Sequence, residues 1–297
     1  MNDWPELIRE SQAALQLHYG PAMEQAAETL GVSLRNLRVM WLTMIYDPDP
    51  ISTSIIQHQT PYSNAEIFQQ RLDEAAQRGW LSPLPGDVYQ ITSQGRAAVE
   101  SVLDAAYTCL AGLTPLSNND LMQVRKYLWQ LVDRCLQVDA PDIKHNLLMS
   151  RRGDPGAQVA EIVRIEQHLT DLNAFRDDAH LAAWDVYHVN APTWEAFSLL
   201  WRSEATNLDG LCENLARRGH QRSTYAAALQ GLVRRGWVME VGGDYQVTRN
   251  GETIRLAAEV ATDRNFYGPW DVLTADEQDY LWTSLDKMGN VLRSIAK

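Results

Sequence analysis

The chain has 297 residues and a formal charge of −12, with 38 acidic side chains against 26 Lys and Arg. It is 45% hydrophobic, 22% charged and 8% aromatic, which excludes a disordered or collagen-like chain and leaves room for two average domains. No segment approaches the roughly 20 apolar residues of a membrane-spanning helix. Residues 1–20 carry acids where a signal peptide has a basic start. Cys109, Cys135 and Cys212 lie far apart, without disulfide or zinc spacing. We therefore expect a cytoplasmic protein with no membrane partner.

A repeat runs through most of the chain. The tripeptide Arg-Gly-Trp at 78–80 recurs at 235–237, 157 residues later. The stretch Tyr-Gln-Ile-Thr at 89–92 has a counterpart, Tyr-Gln-Val-Thr, at 245–248, where the preceding loop is one residue shorter. Self-similarity at a nearly fixed spacing is typical of an internal duplication.

The boundary between the two copies falls in a segment of turn-forming residues. Pro141 and the run Gly153-Asp154-Pro155-Gly156 are typical of a linker. We therefore predict a first repeat over residues 1–140, a linker over 141–156 and a second repeat over 157–297.

Apolar spacings of three and four residues, together with turn signals, predict the elements of each copy. The first copy has helical patterns at 1–16, 21–31, 35–46, 51–58 and 63–78, then a hairpin around Pro85-Gly86-Asp87. The second has helical patterns at 157–173, 178–188, 193–203, 208–216 and 221–235, strands at 237–241 and 244–248, and helices at 249–266 and from Thr274 to 295. We expect Asn207 and Thr274 to be N-caps, Asp177 or Asp178 to cap a helix start, and Gly236 to be a left-handed C-cap.

Three helices followed by a hairpin and further helices form a winged helix-turn-helix arrangement. In the second copy the order and spacing resemble the MarR family of bacterial regulators. The segments that carry the resemblance are Leu211–Leu215, Arg222–Thr224, Leu232–Val238, Thr248–Gly251 and Leu273–Glu277. In that family the terminal helices interlock two protomers into a dimer. The resemblance thus implies a mainly α fold with small β-hairpin wings, in which two winged helix-turn-helix repeats form an internal pseudo-dimer. A monomer is expected, and further dimerisation stays open.

The resemblance also implies double-stranded DNA as a partner. In the second copy, phosphate contacts are expected from residues around the start of the recognition helix, namely Arg217, Arg218, Arg222, Ser223 and Thr224. The base-reading positions of that copy are Ala226 and Ala227, which cannot donate hydrogen bonds. In the first copy the same positions are Gln69 and Gln70, which can pair with adenine, although the neighbouring acid Glu66 would repel a DNA backbone.

The tryptophans of the second copy allow two interpretations. Trp184, Trp194, Trp201 and Trp270 either fill the core or line a pocket for a small aromatic or lipophilic effector, as the resemblance implies. No phosphate loop, nucleophile elbow, metalloprotease motif or dinucleotide fingerprint occurs, so we expect neither an enzyme nor a cofactor or metal site.

The sequence therefore predicts a DNA-binding transcriptional regulator that responds to a small-molecule effector. The alternative is a winged-helix protein that has lost DNA binding and acts as a small-molecule or protein-binding module. The acidic first recognition helix and two wings without arginine favour that alternative.

Overall fold

The computed structural model of the chain describes residues 3–296, most of which are helical. Among these residues, no helix combines the length and the apolar character needed to cross a membrane. The helices are α1 Trp4–Thr29, α2 Leu34–Tyr46, α3 Thr53–Gln59, α4 Ala65–Gln77, α5 Ser93–Ala111, α6 Asn118–Gln137, α7 His145–Arg152, α8 Glu161–Asp185, α9 Ala191–Trp201, α10 Leu208–Asn214, α11 Arg222–Arg234, α12 Arg249–Tyr267 and α13 Ala275–Ile295. The strands are β1 Ile51–Ser52, β2 Leu81–Leu84, β3 Val88–Ile91, β4 Val238–Val241 and β5 Asp244–Val247.

The strands form two small sheets. Strand β3 lies between β1 and β2, and it pairs antiparallel with β2. Strands β4 and β5 form an antiparallel hairpin with Val238 opposite Val247. Gly242 and Gly243 connect them with φ angles of 63° and 92°. Two consecutive residues with positive φ are what a tight hairpin turn requires, so the predicted Gly-Gly hairpin is present.

The order of elements from α1 to α6 recurs from α8 to α13. Helix α2 begins at Leu34 and α9 at Ala191, 157 residues later. Helix α4 begins at Ala65 and α11 at Arg222, again 157 residues apart. The spacing noticed in the sequence is therefore also the spacing of the elements.

A close backbone approach recurs as well. After each hairpin, the first turn of the next helix contains a glycine, Gly95 in α5 and Gly251 in α12. A Cβ atom on either glycine would overlap the carbonyl oxygen of Trp80 or of Trp237, respectively. Only glycine fits at these two positions, because any side chain would force the helix away from the strand.

Packing divides the chain into two compact units. The first comprises the described residues up to Ile51, Leu72–Asp178 and the described residues from Asn265 onward. The second comprises Ser52–Arg71 and Ala179–Arg264. The second unit thus includes α3 and the start of α4, which belong to the first predicted repeat. A division by packing does not test the repeat boundaries, which stay a prediction.

The first unit is built on the long helix α1, which packs along α5 and α13. Trp4 at its start lies 4.4 Å from Trp270 and 5.1 Å from Trp282, measured between ring centroids. Helix α6 packs against α13, and its Leu128 and Leu131 are fully buried. Burial of these aromatic and aliphatic side chains supplies the main stabilisation of this unit.

The second unit has its own core between α9, α10, α11 and the β4–β5 hairpin. Trp194 and Phe197 of α9 are fully buried, and so are Leu211 of α10 and Leu232 of α11. Trp237 opens the hairpin and packs 5.2 Å from Phe197 between ring centroids. This core fixes α11 with one face inward and the opposite face outward.

Two predicted interruptions of helices are wrong. Residues 1–16 and 21–31 belong largely to the single helix α1, which contains Pro21. Helix α1 stays continuous because Leu15 and Ala27, on either side of that proline, are both buried. Their packing outweighs the one backbone hydrogen bond that a proline removes.

The second interruption was predicted near residue 178, inside α8. Neither Asp177 nor Asp178 caps a helix that starts there, because α8 runs without a break through both. The carboxylate of Asp178 instead accepts hydrogen bonds from the backbone N–H groups of Asn146 and Leu147, each at 2.9 Å. It therefore satisfies the first turn of α7, a helix that lies inside the predicted linker.

Candidate nucleic-acid interface

Helices α10 and α11 form a helix-turn-helix in the second unit. Asn207 caps α10 as predicted, because its side chain accepts the backbone N–H of Gly210 at 3.0 Å. Leu211 and Leu215 turn inward, and the chain reverses through Gly219, which has a φ of 71°. Glycine adopts this left-handed conformation without strain, so the turn can be short.

Helix α11 is fixed along its inner face. Tyr225, Leu229 and Leu232 are buried at spacings of four and three residues, which is one stripe of an α-helix. The helix is followed by Gly236, whose φ of 68° confirms the predicted left-handed C-cap. Because the inner stripe is held by the core, the outer stripe is fixed as well.

The outer face of α11 carries the residues that could meet a nucleic acid. Arg222, Ser223, Ala227, Gln230 and Arg234 are all exposed there. The Arg222 guanidinium pairs with Asp209, and both side chains are more than half exposed. Water screens such a pair, so a phosphate can compete with Asp209 for the guanidinium.

The sequence analysis missed two residues of this face. Gln230 lies seven positions after Ser223, and Arg234 follows four positions later. Seven residues are about two helical turns, which returns the chain to the same side. Extending the periodicity of the helix beyond its first turn would have found both.

The turn between α10 and α11 packs against the turn between α3 and α4. The backbone N–H of Asn64 donates to the carbonyl oxygen of Arg218 at 2.8 Å, and the Asn64 amide donates to that of Gly219 at 3.1 Å. A ring nitrogen of His220 lies 3.0 Å from the carbonyl oxygen of Tyr62. A Cβ atom on Gly219 would overlap the Ile67 side chain, so the two turns are in tight contact.

Arg218 is used inside this contact. Its guanidinium donates to the Glu195 carboxylate at 2.9 Å from Nε and 2.5 Å from Nη2. It also lies over the Tyr62 ring, 5.5 Å from the centroid. The exposed fractions of Arg218 and Glu195 are 25% and 12%, so this pair is partly buried. Of the predicted phosphate-binding residues, Arg218 is therefore already paired with a carboxylate through its Nε and Nη2 donors.

The other predicted contacts lie in different settings. In the second copy, Arg217 is exposed next to Arg218, and Thr224 is half-buried in α11. In the first copy, Gln69 accepts a hydrogen bond from the Thr53 hydroxyl at 2.7 Å. Gln70 is exposed on α4, one turn after the exposed Glu66. Arg217 and Arg222 are thus exposed and Arg218 is engaged with Glu195, whereas the two glutamines lie on a helix that also carries three acids.

The β4–β5 hairpin adds no positive charge. Its tip, Val241–Asp244, is exposed and contains no basic residue. The Asp244 carboxylate accepts a hydrogen bond from the Asn207 side chain at 3.0 Å, which ties the hairpin to the cap of α10. Arg235 at the base of the hairpin donates to the carbonyl oxygens of Tyr187 and His188 at 3.2 and 3.0 Å. Its role there is to brace the hairpin.

The four tryptophans of the predicted effector pocket do not share one site. Trp184 and Trp194 stack in the core of the second unit with centroids 5.8 Å apart. Arg255 lies between Trp194 and Trp201, 4.9 and 4.7 Å from their centroids. Trp270 belongs to the first unit, where it packs against Trp4. These contacts favour the core-packing interpretation. Within residues 3–296 no cluster of three or more His, Cys, Asp or Glu could hold a metal ion.

A short helix, a turn and a second helix form a helix-turn-helix here, and a two-stranded hairpin follows it. Residues 156–295 match the model of a helix-turn-helix family. Comparisons with curated proteins and with solved structures gave no match. The matched segment contains α10 and α11, so it supports a helix-turn-helix domain in this part of the chain. It also suggests a DNA-binding regulator.

Proposed function

We propose that the chain is a DNA-binding transcriptional regulator in which α11 makes the principal contacts with the duplex. The observation that carries the proposal is the outer face of α11, where Arg222 and Arg234 flank Ser223, Ala227 and Gln230. Arginines at both ends of a helix can contact phosphates, and a glutamine between them can pair with adenine in the major groove. The small Ala227 allows close approach to the bases.

The charge distribution supports the same proposal. The segments 52–71 and 179–264, which form the second unit, contain 10 arginines and 11 acids, a net charge of −1. The rest of the chain carries −11. An acidic protein can bind DNA when its charge is segregated, because phosphate contacts depend on the local field.

The recurring order of elements supports two winged-helix repeats, which we propose as a tandem duplication with the boundaries given above. The likeness to the MarR family belongs to this proposal. Equivalent helices α4 and α11 and equivalent close approaches at Gly95 and Gly251 are its structural basis.

Docking on DNA would differ from that of a two-fold symmetric helix-turn-helix dimer. Such dimers place their recognition helices about 34 Å apart, one turn of DNA. Here Asn64, the residue before α4, is hydrogen-bonded to Arg218, four residues before α11. The starts of the two helices are therefore adjacent, and we propose that α11 alone enters a major groove.

Fluorescence anisotropy with a labelled mixed-sequence duplex tests the proposal between 50 and 200 mM salt. We expect binding that weakens with salt, and an R217E/R222E double variant that binds at least about tenfold more weakly with a salt slope reduced by about one per lost phosphate contact. The matched control is the double variant R264E/K287E, which makes the same total charge change at exposed residues of α12 and α13. Equal losses in the two double variants would contradict a specific role for α11.

Shortening the duplex tests the docking mode. A single recognition helix needs about one half-site, whereas two would need duplexes longer than about 20 base pairs. We expect affinity to persist in a duplex of about 12 base pairs. Loss of binding below 20 base pairs would show that both helices read DNA.

The alternative, a binding module without DNA affinity, is favoured by the acids of α4 and by the contact between the two turns. Absence of binding at 50 mM salt would select it. We also propose that the regulator responds to a small-molecule effector.

A further inference from the structure

The first compact unit contains a cavity of about 510 Å³ that the proposed DNA contacts do not use. It is formed by residues of α1, α2, α5 and α8 together with Gly153. Most of its wall is apolar, with contributions from Leu37, Trp41, Val99 and Leu103. A concave apolar space of this size with a few polar groups fits a small organic molecule.

One side of a buried carboxyl group faces this cavity. Glu166 of α8 receives three hydrogen bonds, all at Oε1: from the Tyr19 hydroxyl at 3.1 Å, the Thr170 hydroxyl at 3.2 Å and the Gln12 amide at 3.4 Å. The part of the chain that the structure describes supplies no donor to Oε2. The side chain keeps some accessible surface while it lines the cavity. A ligand can therefore reach the second oxygen.

The protein does not balance the charge of this carboxylate. Burial raises the pKa of Glu166, and the negative charge of Asp171 on the same helix raises it further. The hydrogen bonds from α1 and from Thr170 lower the pKa and only partly offset this rise. No Lys or Arg among residues 3–296 forms an ion pair with Glu166. The Glu166 carboxylate therefore has no positively charged partner within the described part of the protein.

The other charged groups of the cavity do not supply that cation. Arg38 of α2 lies at the rim and is exposed, and its positive charge interacts with Asp177. Glu24 of α1, also exposed, adds a second negative charge to the lining. Tyr107 of α5 carries no charge near neutral pH, and burial raises its pKa further, to about 12. Within the described chain, the lining therefore contains two acidic side chains, Glu24 and Glu166, and one basic side chain, Arg38.

Aromatic rings complete the chemistry of the site. Tyr19, Trp41 and Tyr107 line the same cavity as Glu166. The faces of aromatic rings attract cations, most strongly where water is excluded. A carboxylate with a free oxygen and three aromatic side chains are together typical of a site for an organic cation.

We propose that this cavity binds a small organic cation, an ammonium compound with an apolar body, held by Glu166 and the surrounding aromatic rings. The apolar body would fill the space between Leu37, Val99 and Leu103. The role of this cavity as an effector site rests on the proposed function. Binding of the cation does not rest on it and can be tested without DNA.

Isothermal titration calorimetry on the full chain provides the test. The probe is phenyltrimethylammonium, whose charge does not change with pH. It is compared with tert-butylbenzene, which has nearly the same shape without the charge, and with benzoate, which has the opposite charge. We expect the cation to bind at least about tenfold more tightly than either compound. Benzoate binding more tightly than the cation would overturn the proposal and assign the site to Arg38.

Two variants locate the charge that matters. Glu166→Gln keeps the shape and the acceptor oxygen of the side chain, and we expect it to weaken binding of the cation at least about tenfold. Glu24→Gln is the matched control, because it removes the same charge at the exposed rim, and we expect less than a threefold change. Equal losses in both variants would mean that general attraction, and not a contact with Glu166, holds the ligand.

The pH dependence gives a second readout. A bound cation favours the carboxylate form, so its affinity increases as the pH rises through the raised pKa of Glu166 and levels off above it. The Glu166→Gln variant should show no such increase. A flat profile in the unmodified protein would overturn the role of Glu166. If the cation binds and DNA does not, the cation site is supported and the regulator proposal is contradicted. If DNA binds and the cation does not, the regulator proposal is supported and the cation site is contradicted.

Discussion

Helices α4 and α11 begin 157 residues apart and hold the same place in the two series of elements, but their polar side chains have different uses. In α4, Gln69 bonds to Thr53, Asp73 to Tyr89 and Glu74 to Asn36. In α11 the positions equivalent to Gln69 and Glu74 are small residues, an alanine and a glycine.

The two helices have similar backbones but use their polar side chains differently. The polar residues of α4 form contacts within the protein, and those left exposed include the acid Glu66. The exposed end residues of α11 are Arg222 and Arg234, whose charge suits phosphate. At the same place in the two series of elements, α4 thus exposes the acid Glu66 and α11 exposes two arginines, and only the arginines have a charge that suits phosphate.

The largest effect should come from the close backbone approach that recurs at Gly95 and Gly251. Gly95→Ala and Gly251→Ala each force a Cβ atom into a backbone carbonyl oxygen, so each should lower the free energy of unfolding by about 3 kcal/mol. Thermal unfolding followed by circular dichroism measures the loss. Gly112→Ala is the control, since its Cβ would meet ordinary contacts, and it should change little. A loss of stability in only one of the two variants would contradict the equivalence of these two positions.

The contact between the two turns should have the next largest effect. Gly219→Ala introduces both a strained φ and an overlap with Ile67, and we expect a loss of about 2 kcal/mol. Gly236→Ala separates the two causes, because its φ is similar and nothing lies within 4 Å of its Cβ. Differential scanning fluorimetry compares them. If both variants lose the same stability, the turns are not in tight contact, whereas an added Ile67→Ala should partly rescue the first.

Neighbouring arginines should then separate stability from DNA binding. Arg218→Ala leaves the Glu195 carboxylate without its partner and should cost about 1–2 kcal/mol of stability with little change in the salt slope of DNA binding. Arg217→Ala should do the reverse. Paired unfolding and anisotropy measurements on both variants provide the check. A salt slope that falls in Arg218→Ala would return this residue to the DNA interface.

The smallest effect should come from exchanging one pair of equivalent residues. Ser223→Glu places the acid of α4 on α11 and should weaken DNA binding about tenfold at 50 mM salt. The reverse change, Glu66→Ser, should leave affinity within about twofold because α4 is not the reading helix. Anisotropy measures both, and a clear gain in affinity from Glu66→Ser would place α4 on the DNA.

Local signals in the sequence predicted the local features well. Asn207, Gly236 and Thr274 occupy the caps expected of them, and Thr274 forms a full capping box with Glu277. Caps and tight turns depend on a few neighbouring residues, so they can be read from sequence. The bounds of α10 and α11 follow from the same signals to within about two residues.

Features that depend on distant contacts were not predictable in this way. Pro21 is a local signal for the end of a helix, whereas burial on either side of it keeps α1 continuous. Arg218 has the positive charge expected of a phosphate contact. Only the fold shows that Glu195 and Tyr62 engage its guanidinium. Glu166 gave no signal in the sequence, because its surroundings come from four separate helices.

The discontinuous second unit has a consequence for the nascent chain. Its segment Ser52–Arg71 carries Ile56 and Phe68, which are both buried in the folded protein. The hydrogen bond between Asn64 and Arg218 spans 154 residues, and at about 5–20 residues per second the ribosome needs roughly 8–30 s to synthesise them. During that delay the apolar segment Ser52–Arg71 has no partner to pack against. Contacts between residues so far apart in sequence also form slowly. Synthesis that stalls before Arg218 would leave these side chains exposed. We therefore expect chaperones to bind the incomplete chain.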